Sequence, residues 1–244
     1  ITAIERGRAQ WLDGDDAPRL SLAGAQDKVP VRATATEDGT WTFQLPESGA
    51  ASTHILKLPV RDLKEVPLLE IYTTYIAGKL GLPVAPVRLV RIGPHIASLA
   101  ERYDRQSRDG VVSRLHQEDL CQAQGRSHAS KYDAGSNAFS ELAAVIQQHC
   151  QAPAVDLQAL ARWQIFNALA GNADGHLKNL SLISRGREGW SLAPFYDLVC
   201  TLAIDNISHH LALPVGRHTD PGNLHRNHWG VFAEQLGMAP KRIQ

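Results

Sequence analysis

One helix and the loop behind it constrain this chain most. From Asp156 to Ala170 the sequence is apolar on most faces, through Leu157, Leu160, Trp163, Ile165, Phe166 and Leu169. A helix of that kind must be buried, and Asp156 is a good N-cap residue for it. It reads as the spine of a helical half. Directly after it come Gly171-Asn172-Ala173-Asp174-Gly175-His176-Leu177-Lys178-Asn179 and, further on, Pro194-Phe195-Tyr196-Asp197. The buried helix therefore delivers carboxylates and amides to the rim of a core. Asp174 and Asn179 are five residues apart, the Asp-x-x-x-x-Asn spacing of kinase catalytic loops.

That pattern suits phosphoryl transfer. Such a site needs a carboxylate to orient the attacking hydroxyl and accept its proton, and an amide oxygen and a second carboxylate to hold magnesium on the phosphates. Asp197 follows Leu180–Ser184 and Trp190–Ala193, two short segments that read as a hairpin returning it to the loop. The competing reading is a polar turn, since Asn, Asp and Gly collect in turns for local backbone reasons. The spine helix before the loop and the abrupt apolar-to-acidic change at Asp197 favour the chemical reading.

The rest of the composition narrows the class. A length of 244 residues suits one large domain or two small lobes. Twenty-five basic and twenty-five acidic residues cancel, so no overall basic excess points to nucleic acid. No run approaches the ~20 apolar residues of a membrane span, and the first residues lack a signal-peptide pattern. A cytoplasmic location is expected, with no membrane partner. Cys121, Cys150 and Cys200 are too few and too scattered for a disulfide or zinc framework and read as buried thiols. His209-His210 and His225/His228 lack a matching third ligand, so no structural metal is expected.

The expected fold class is α+β, a two-lobed protein-kinase-like fold, with a β-rich half over 1–104 and a helical half over 105–244. Lys28–Ala35 and Thr40–Leu45 read as a hairpin around Glu37-Asp38-Gly39. His54–Leu58 alternates as a half-buried strand does. A helix runs from Pro67 to Leu80 and is stopped by Gly81 and Pro83. Val87–Ile92 and Ile96–Tyr103 form a strand pair, and Arg105–Gly110 reads as a flexible stretch between the halves. From Leu115 onward the pattern is helical. Phe139, Leu142, Ala143, Ile146 and Cys150 mark a helix over Ser136–Cys150.

Two further features bear on a nucleotide. Lys57 is the one lysine in the middle of an apolar strand. A lysine can snorkel from a strand edge, but Glu70 stands near the start of the next helix, where an active kinase holds the partner of its strand lysine. First-turn dipole stabilisation would account for Glu70 without a partner. Leu20 to Lys28 is a small-residue loop before a strand, suited to backbone approach to phosphate oxygens or to a plain turn.

Taken together, these segments resemble the HipA-like serine/threonine kinase toxins of bacterial toxin–antitoxin systems. The matching pieces are Ser21–Lys28, Thr53–Pro59, Leu80–Val84, Glu101–Arg105, Leu115–Gln122, Gly171–Asn179 and Leu192–Val199, in family order, over most of the chain. The resemblance implies ATP and Mg2+ as cofactors. It implies Asp174 as catalytic base, Asn179 and Asp197 as magnesium ligands, and Lys57 on the phosphates beside Glu70. Glu101, Arg102 and Tyr103 would be the hinge that reads adenine. His176, Leu177, Lys178 and Asn179 would line the nucleotide pocket. Ala23, Gly24, Ala25, Gln26, Asp27 and Lys28 would form the phosphate loop, and Ser21 matches the family's autophosphorylated serine. The implied substrate is an aminoacyl-tRNA synthetase such as the glutamyl enzyme. The implied partner is a small DNA-binding antitoxin of the HipB type, with DNA reached only through it.

The chain also departs from that pattern. Twenty residues precede Ser21, where long members carry an N-terminal subdomain that in some short members is a separate protein. Arg19 stands where a Ser-x-Ser pair would put its first serine. The chain ends soon after Gly237, short of the usual helical C-terminus. Two alternatives stand beside this reading. One is a small-molecule kinase of the aminoglycoside or choline type, which the few acids of residues 205–244 fit poorly. The other is an inactive kinase-fold binding protein.

Overall fold

The computed structural model describes residues 27–37, 39–47, 49–59 and 63–243. β1 (Lys28–Ala35) and β2 (Trp41–Gln44) form the expected hairpin, and β3 (His54–Lys57) lies on the other side of β1. Helix α1 (Val66–Lys79) starts with Pro67 in its first turn, where the missing N–H costs nothing. It gives way to Gly81 at φ +77°, left-handed backbone that glycine adopts freely. β4 (Val87–Ile92) and β5 (His95–Glu101) complete an antiparallel sheet in the order β2-β1-β3-β5-β4.

Period-2 alternation gives this sheet two different faces. Val31, Leu56, Val90, Ala97 and Leu99 are buried together on a small apolar core. In the register, Lys28 faces Lys57 and Lys57 faces Ser98. Three polar side chains therefore stand in a row across β1, β3 and β5.

Three expectations need correction. Residues 105–110 are not a flexible connector. They belong to a tight hairpin of β6 (Arg105–Arg108) and β7 (Val111–Arg114), turned by Asp109 and Gly110 with φ of 49° and 78°. Positive φ at both central residues is what a two-residue hairpin turn requires. The region from Leu115 onward is not all helical, because β8 (Gln117–Asp119) pairs with β9 (Ser181–Ser184). Asp119 then caps the short helix α2 (Leu120–Ala123).

The third correction concerns the spine helix. After α3 (Ala138–His149), helix α4 spans Pro153–Ala170, three residues longer at its start than Asp156 suggests. Ala152 is the N-cap, Pro153 fills the first helical position, and Asp156 sits inside the first turn, where a carboxylate complements the helix dipole. α4 is the spine nonetheless: Leu160 and Trp163 are fully buried with Phe139, Leu142 and Ile146 of α3 and Phe232 of α5 (Arg226–Gln235). β9 and β10 (Trp190–Leu192) form the expected hairpin. Cys121 and Cys150 are buried thiols and Cys200 is half-buried. Among the described residues no helix is long and apolar enough to cross a membrane.

Candidate active site

The polar row on the sheet is where charge gathers. Glu70 projects from α1, which packs over β4 and β5, and is 1% exposed. Its Oε1 accepts from Lys57 Nζ, and its Oε2 accepts from Ser98 Oγ at 2.8 Å. Lys57 Nζ, 3% exposed, also donates to Asp197 Oδ1, while Lys28 Nζ donates to Asp197 Oδ2 at 2.9 Å. Like charges directly opposite on paired strands repel. Lys28 and Lys57 are such a pair, and the carboxylate of Asp197 lies between them. Burial alone would lower the Lys57 ammonium and raise the Asp197 carboxyl. The opposite charges outweigh burial, so Lys57 is held above its ordinary value and Asp197 well below. Lys57 and Asp197 are therefore both ionised near neutrality.

Asp197 has φ +55°, left-handed backbone in a residue that carries a Cβ. Such backbone persists only where surrounding contacts over-determine it, and here they do. Phe195 exchanges hydrogen bonds with the segment after α1, accepting from Ala85 N and donating to Pro83 O, both at 2.8 Å. The Tyr196 hydroxyl donates to Lys178 O and accepts from Ser181 Oγ, both at 2.7 Å. Asp197 is thus clipped to the helix that carries Glu70 and to the loop that carries Asn179.

The loop Gly171–Asn179 is braced from several sides. Gly171, at φ +68°, ends α4 in left-handed backbone. The Thr201 hydroxyl donates to Gly171 O at 2.9 Å and accepts from Ala173 N at 2.8 Å. Gly175 lies against the spine: a Cβ there would stand 2.7 Å from Asn167 Nδ2 and 3.2 Å from the Trp163 ring. Trp163 also stacks on Phe195, with centroids 5.9 Å apart. One buried indole therefore supports both acidic segments.

Within the loop, Asn179 Nδ2 donates to Asp174 O at 2.9 Å, so its amide oxygen is the end available to a cation. Asp174 is 9% exposed, and its Oδ1 accepts from the Tyr132 hydroxyl at 2.6 Å. Thr201→Val keeps the shape but strips both bonds of the Thr201 hydroxyl. A buried donor and acceptor left unmatched cost about 1–3 kcal/mol. The variant is expected to show a matching drop in unfolding free energy by urea titration.

A cavity of about 220 Å³ opens beside the charged cluster. Ile55, Ala100 and Val87, register partners across β3, β5 and β4, give it an apolar wall. Glu101 to Asp104 and Tyr196 close another part, and Lys28, Lys57, Glu70 and Asp197 line the charged part. Glu101 N donates to Pro86 O and Arg102 N to Thr53 O. The Asp104 carboxylate pins the turn by binding Arg102 and Arg105. Tyr103 and Tyr196 stack with centroids 5.4 Å apart. Burial pushes Tyr103 up to about 12 and Tyr196 well above its ordinary value, so both keep their protons.

The structure brings together Lys28, Lys57, Glu70 and Asp197, and places Glu101, Arg102 and Tyr103 on the same cavity. Asp27 precedes β1 and accepts from Leu58 N through its carbonyl. Ser21, Ala23, Gly24, Ala25 and Gln26 lie outside the described residues. His176 and Leu177 are each 1% exposed, packed inward rather than onto the cavity. Burial, aided by the Lys131 charge, lowers the His176 imidazole to about 4 and keeps it neutral. Lys178 turns its ammonium to Asp119 Oδ2 at 2.9 Å. Ser98, Gln117, Tyr132 and Thr201 are site residues that motif reading does not single out. Only Ser98 leaves a trace, as a polar residue inside an apolar strand.

The donor types suit magnesium, while in this structure both Asp197 oxygens accept from Lys57 and Lys28 and Asn179 is not among the residues lining the cavity. Asp197 and Asn179 offer a hard carboxylate and a hard amide oxygen, and magnesium typically takes one or two protein oxygens and completes its shell with waters and phosphates. Among the described residues no group of three or more His, Cys, Asp and Glu could hold a metal unaided.

Comparisons with known proteins give the family and the fold. The model of the HipA-like C-terminal domain matches residues 20–244. The chain is 38% identical over 229 residues to Y4mE of Sinorhizobium fredii, which bears the name of a kinase, covering 93% of this chain and 53% of that protein. It is 31% identical over 238 residues to the serine/threonine-protein kinase toxin HipA of Shewanella oneidensis, covering 92% and 53%. It thus spans about half the length of these curated relatives. The solved complex of Shewanella oneidensis HipA with HipB and operator DNA superposes with a TM-score of 0.80 at 31% identity, over 95% of this chain and 55% of that one. The proinflammatory kinase CtkA of Helicobacter pylori shares the fold, with a TM-score of 0.52 at 13% identity over 86% of this chain and 81% of that one. By sequence and by structure, this chain belongs to the HipA-like C-terminal domain family.

Proposed function

We propose that this chain is the catalytic unit of an ATP-dependent serine/threonine protein kinase toxin. The observation that carries the reading is the junction at Lys57, one buried ammonium shared by Glu70 of α1 and Asp197 at the left-handed turn. Among phosphoryl-transfer enzymes, a lysine between a helix glutamate and the metal aspartate is the protein-kinase arrangement.

The roles follow from the chemistry of each group. The apolar wall of Ile55, Val87 and Ala100 takes the base of ATP. Its edge is read by the Tyr103 N–H, because the N–H groups of Glu101 and Arg102 are already given to Pro86 and Thr53. Lys57 and Lys28 neutralise phosphate oxygens. Asp197 and Asn179 would hold magnesium, which when bound would supply positive charge against the phosphates. Asp174 orients the acceptor hydroxyl and takes its proton as that oxygen bonds to the γ-phosphorus. The bond from phosphorus to the β–γ bridging oxygen breaks, and ADP leaves.

The acceptor is a protein serine, with an aminoacyl-tRNA synthetase such as the glutamyl enzyme as the substrate of choice. Ser21 is a second acceptor, an inactivating switch: a phosphate there adds about two negative charges next to the proposed phosphate loop. The partner is a HipB-type antitoxin, since the Shewanella HipA structure holds HipB and operator DNA. The test is incubation with γ-labelled ATP and a panel of purified aminoacyl-tRNA synthetases, with mass spectrometry of Ser21. Label on one synthetase is the expected result. Tight Mg-ATP binding with no label on any protein would leave an inactive binding module.

A further inference from the structure

A second, smaller cavity of about 20 Å³ lies beside Asp174, and it shares no lining residue with the nucleotide cavity. Its walls include Tyr132, Ala173, Thr201, Ile207 and Ala212. That volume holds about one water-sized group. It suits a small hydroxyl-bearing group.

Tyr132 arrives from the far side of the chain sequence. It ends the 3-10 turn His128–Tyr132, which Ser127 caps through Ala129 N. Its ring is held by the edge of His176, centroids 5.1 Å apart, and by the Lys131 ammonium 4.9 Å from its centroid. The edge of the His176 ring gives Tyr132 a packing surface beside Asp174. The Tyr132 hydroxyl donates to Asp174 Oδ1 at 2.6 Å, a charge-assisted length. Ala173, just before it, is fixed by its own N–H, which donates to the Thr201 hydroxyl, and by its carbonyl, which accepts from Ala212 N.

We infer that Tyr132 is the positioning residue of the acceptor half of this site: its phenol sets the Asp174 carboxylate, and together with Ile207 it walls the subsite that seats the acceptor side chain. The inference rests on the kinase reading and deepens it. Tyr132 does not touch the reacting atoms. The acceptor proton still passes to Asp174. The role of Tyr132 is to hold the carboxylate in one orientation, so that the acceptor hydroxyl meets it in line with the γ-phosphate. A side chain too large for the subsite cannot bring its oxygen to that point.

The experiment compares wild type, Tyr132→Phe and Ile207→Trp, with dephosphorylated casein as the probe acceptor and Mg-ATP binding measured in parallel. Tyr132→Phe keeps the ring against His176 and removes only the hydroxyl. Its kcat is expected to fall roughly 10–100-fold, the cost of a misplaced catalytic group, with ATP affinity within about twofold of wild type. Ile207→Trp fills the subsite and is expected to raise the casein KM at unchanged ATP affinity. Wild-type kcat in Tyr132→Phe, or a fall in ATP affinity that matches the fall in rate, overturns the positioning role. An unchanged casein KM in Ile207→Trp overturns the subsite, and that variant decides the matter even if Tyr132→Phe fails to fold. If wild type binds ATP yet labels neither casein, nor any synthetase of the panel, nor itself, the kinase reading falls and takes this assignment with it.

Discussion

Asp174→Asn lowers phosphoryl transfer by roughly 10²–10⁴-fold, the usual contribution of a positioned general base, and leaves Mg-ATP binding close to wild type. The substitution keeps size and hydrogen-bonding capacity, so the bond from the Tyr132 hydroxyl and the bond from Asn179 Nδ2 to the main-chain carbonyl survive. What it removes is the carboxylate that takes the acceptor proton. Asp174 is not among the residues lining the nucleotide cavity, so nucleotide affinity has no reason to follow the rate. The check is single-turnover transfer of label from γ-labelled ATP beside calorimetric titration with Mg-ATP. A variant that transfers at a near-normal rate would remove Asp174 from its role.

Lys57→Met produces the largest expected loss of stability together with a loss of ATP binding. Glu70 is 1% exposed and loses its ammonium, with only the Ser98 hydroxyl left to it. Asp197 retains Lys28 alone. Removing one partner from a buried ion pair costs about 3–5 kcal/mol, because it strands the other charge. Methionine preserves most of the buried volume, which isolates the charge effect from a cavity. Denaturant unfolding is expected to show that loss, and Mg-ATP affinity is expected to fall. The pair Lys57→Met with Glu70→Gln should recover part of the stability, because the stranded carboxylate is then neutral, yet recover no nucleotide binding. If Lys57→Met unfolded like wild type and bound ATP normally, the ammonium would be serving neither the fold nor the phosphates.

The parts of the fold written in local chemistry are readable from the sequence. Strand alternation in His54–Leu58, the helix stop at Gly81, the β9–β10 hairpin and the apolar spine all appear where the pattern puts them. So does the approach of Glu70 to Lys57, since a lysine inside an apolar strand and a glutamate one helix later have few other ways to be buried. The start of α4 is misplaced because Asp156 is a strong capping residue type, and it outranks the equally valid signal of Pro153 at the first helical position. The β6–β7 hairpin is missed although Asp109-Gly110 is a hairpin dipeptide, because its flanking strands are polar and show no apolar period. Tyr132 and Thr201 are not readable at all. Their bonds to Asp174 and Gly171 span 42 and 30 residues, through segments without periodicity, and only the tertiary fold brings them together. Lys28 reads both as the end of the small-residue loop and as the first residue of the Lys28–Ala35 strand, and it stands as the first residue of β1, opposite Lys57. Its pairing with Asp197, 169 residues away, is likewise a product of the fold.

The most direct test of the central claim uses two labels in parallel. Wild-type chain is incubated with Mg-ATP labelled at the γ-phosphorus or at the α-phosphorus, alone and with a panel of aminoacyl-tRNA synthetases, and protein-bound label is followed over time. The account predicts label from the γ position on protein serine and none from the α position, with the γ signal lost in Asp174→Asn. Bound nucleotide with no protein-bound label from either position, or equal label from both, would contradict it.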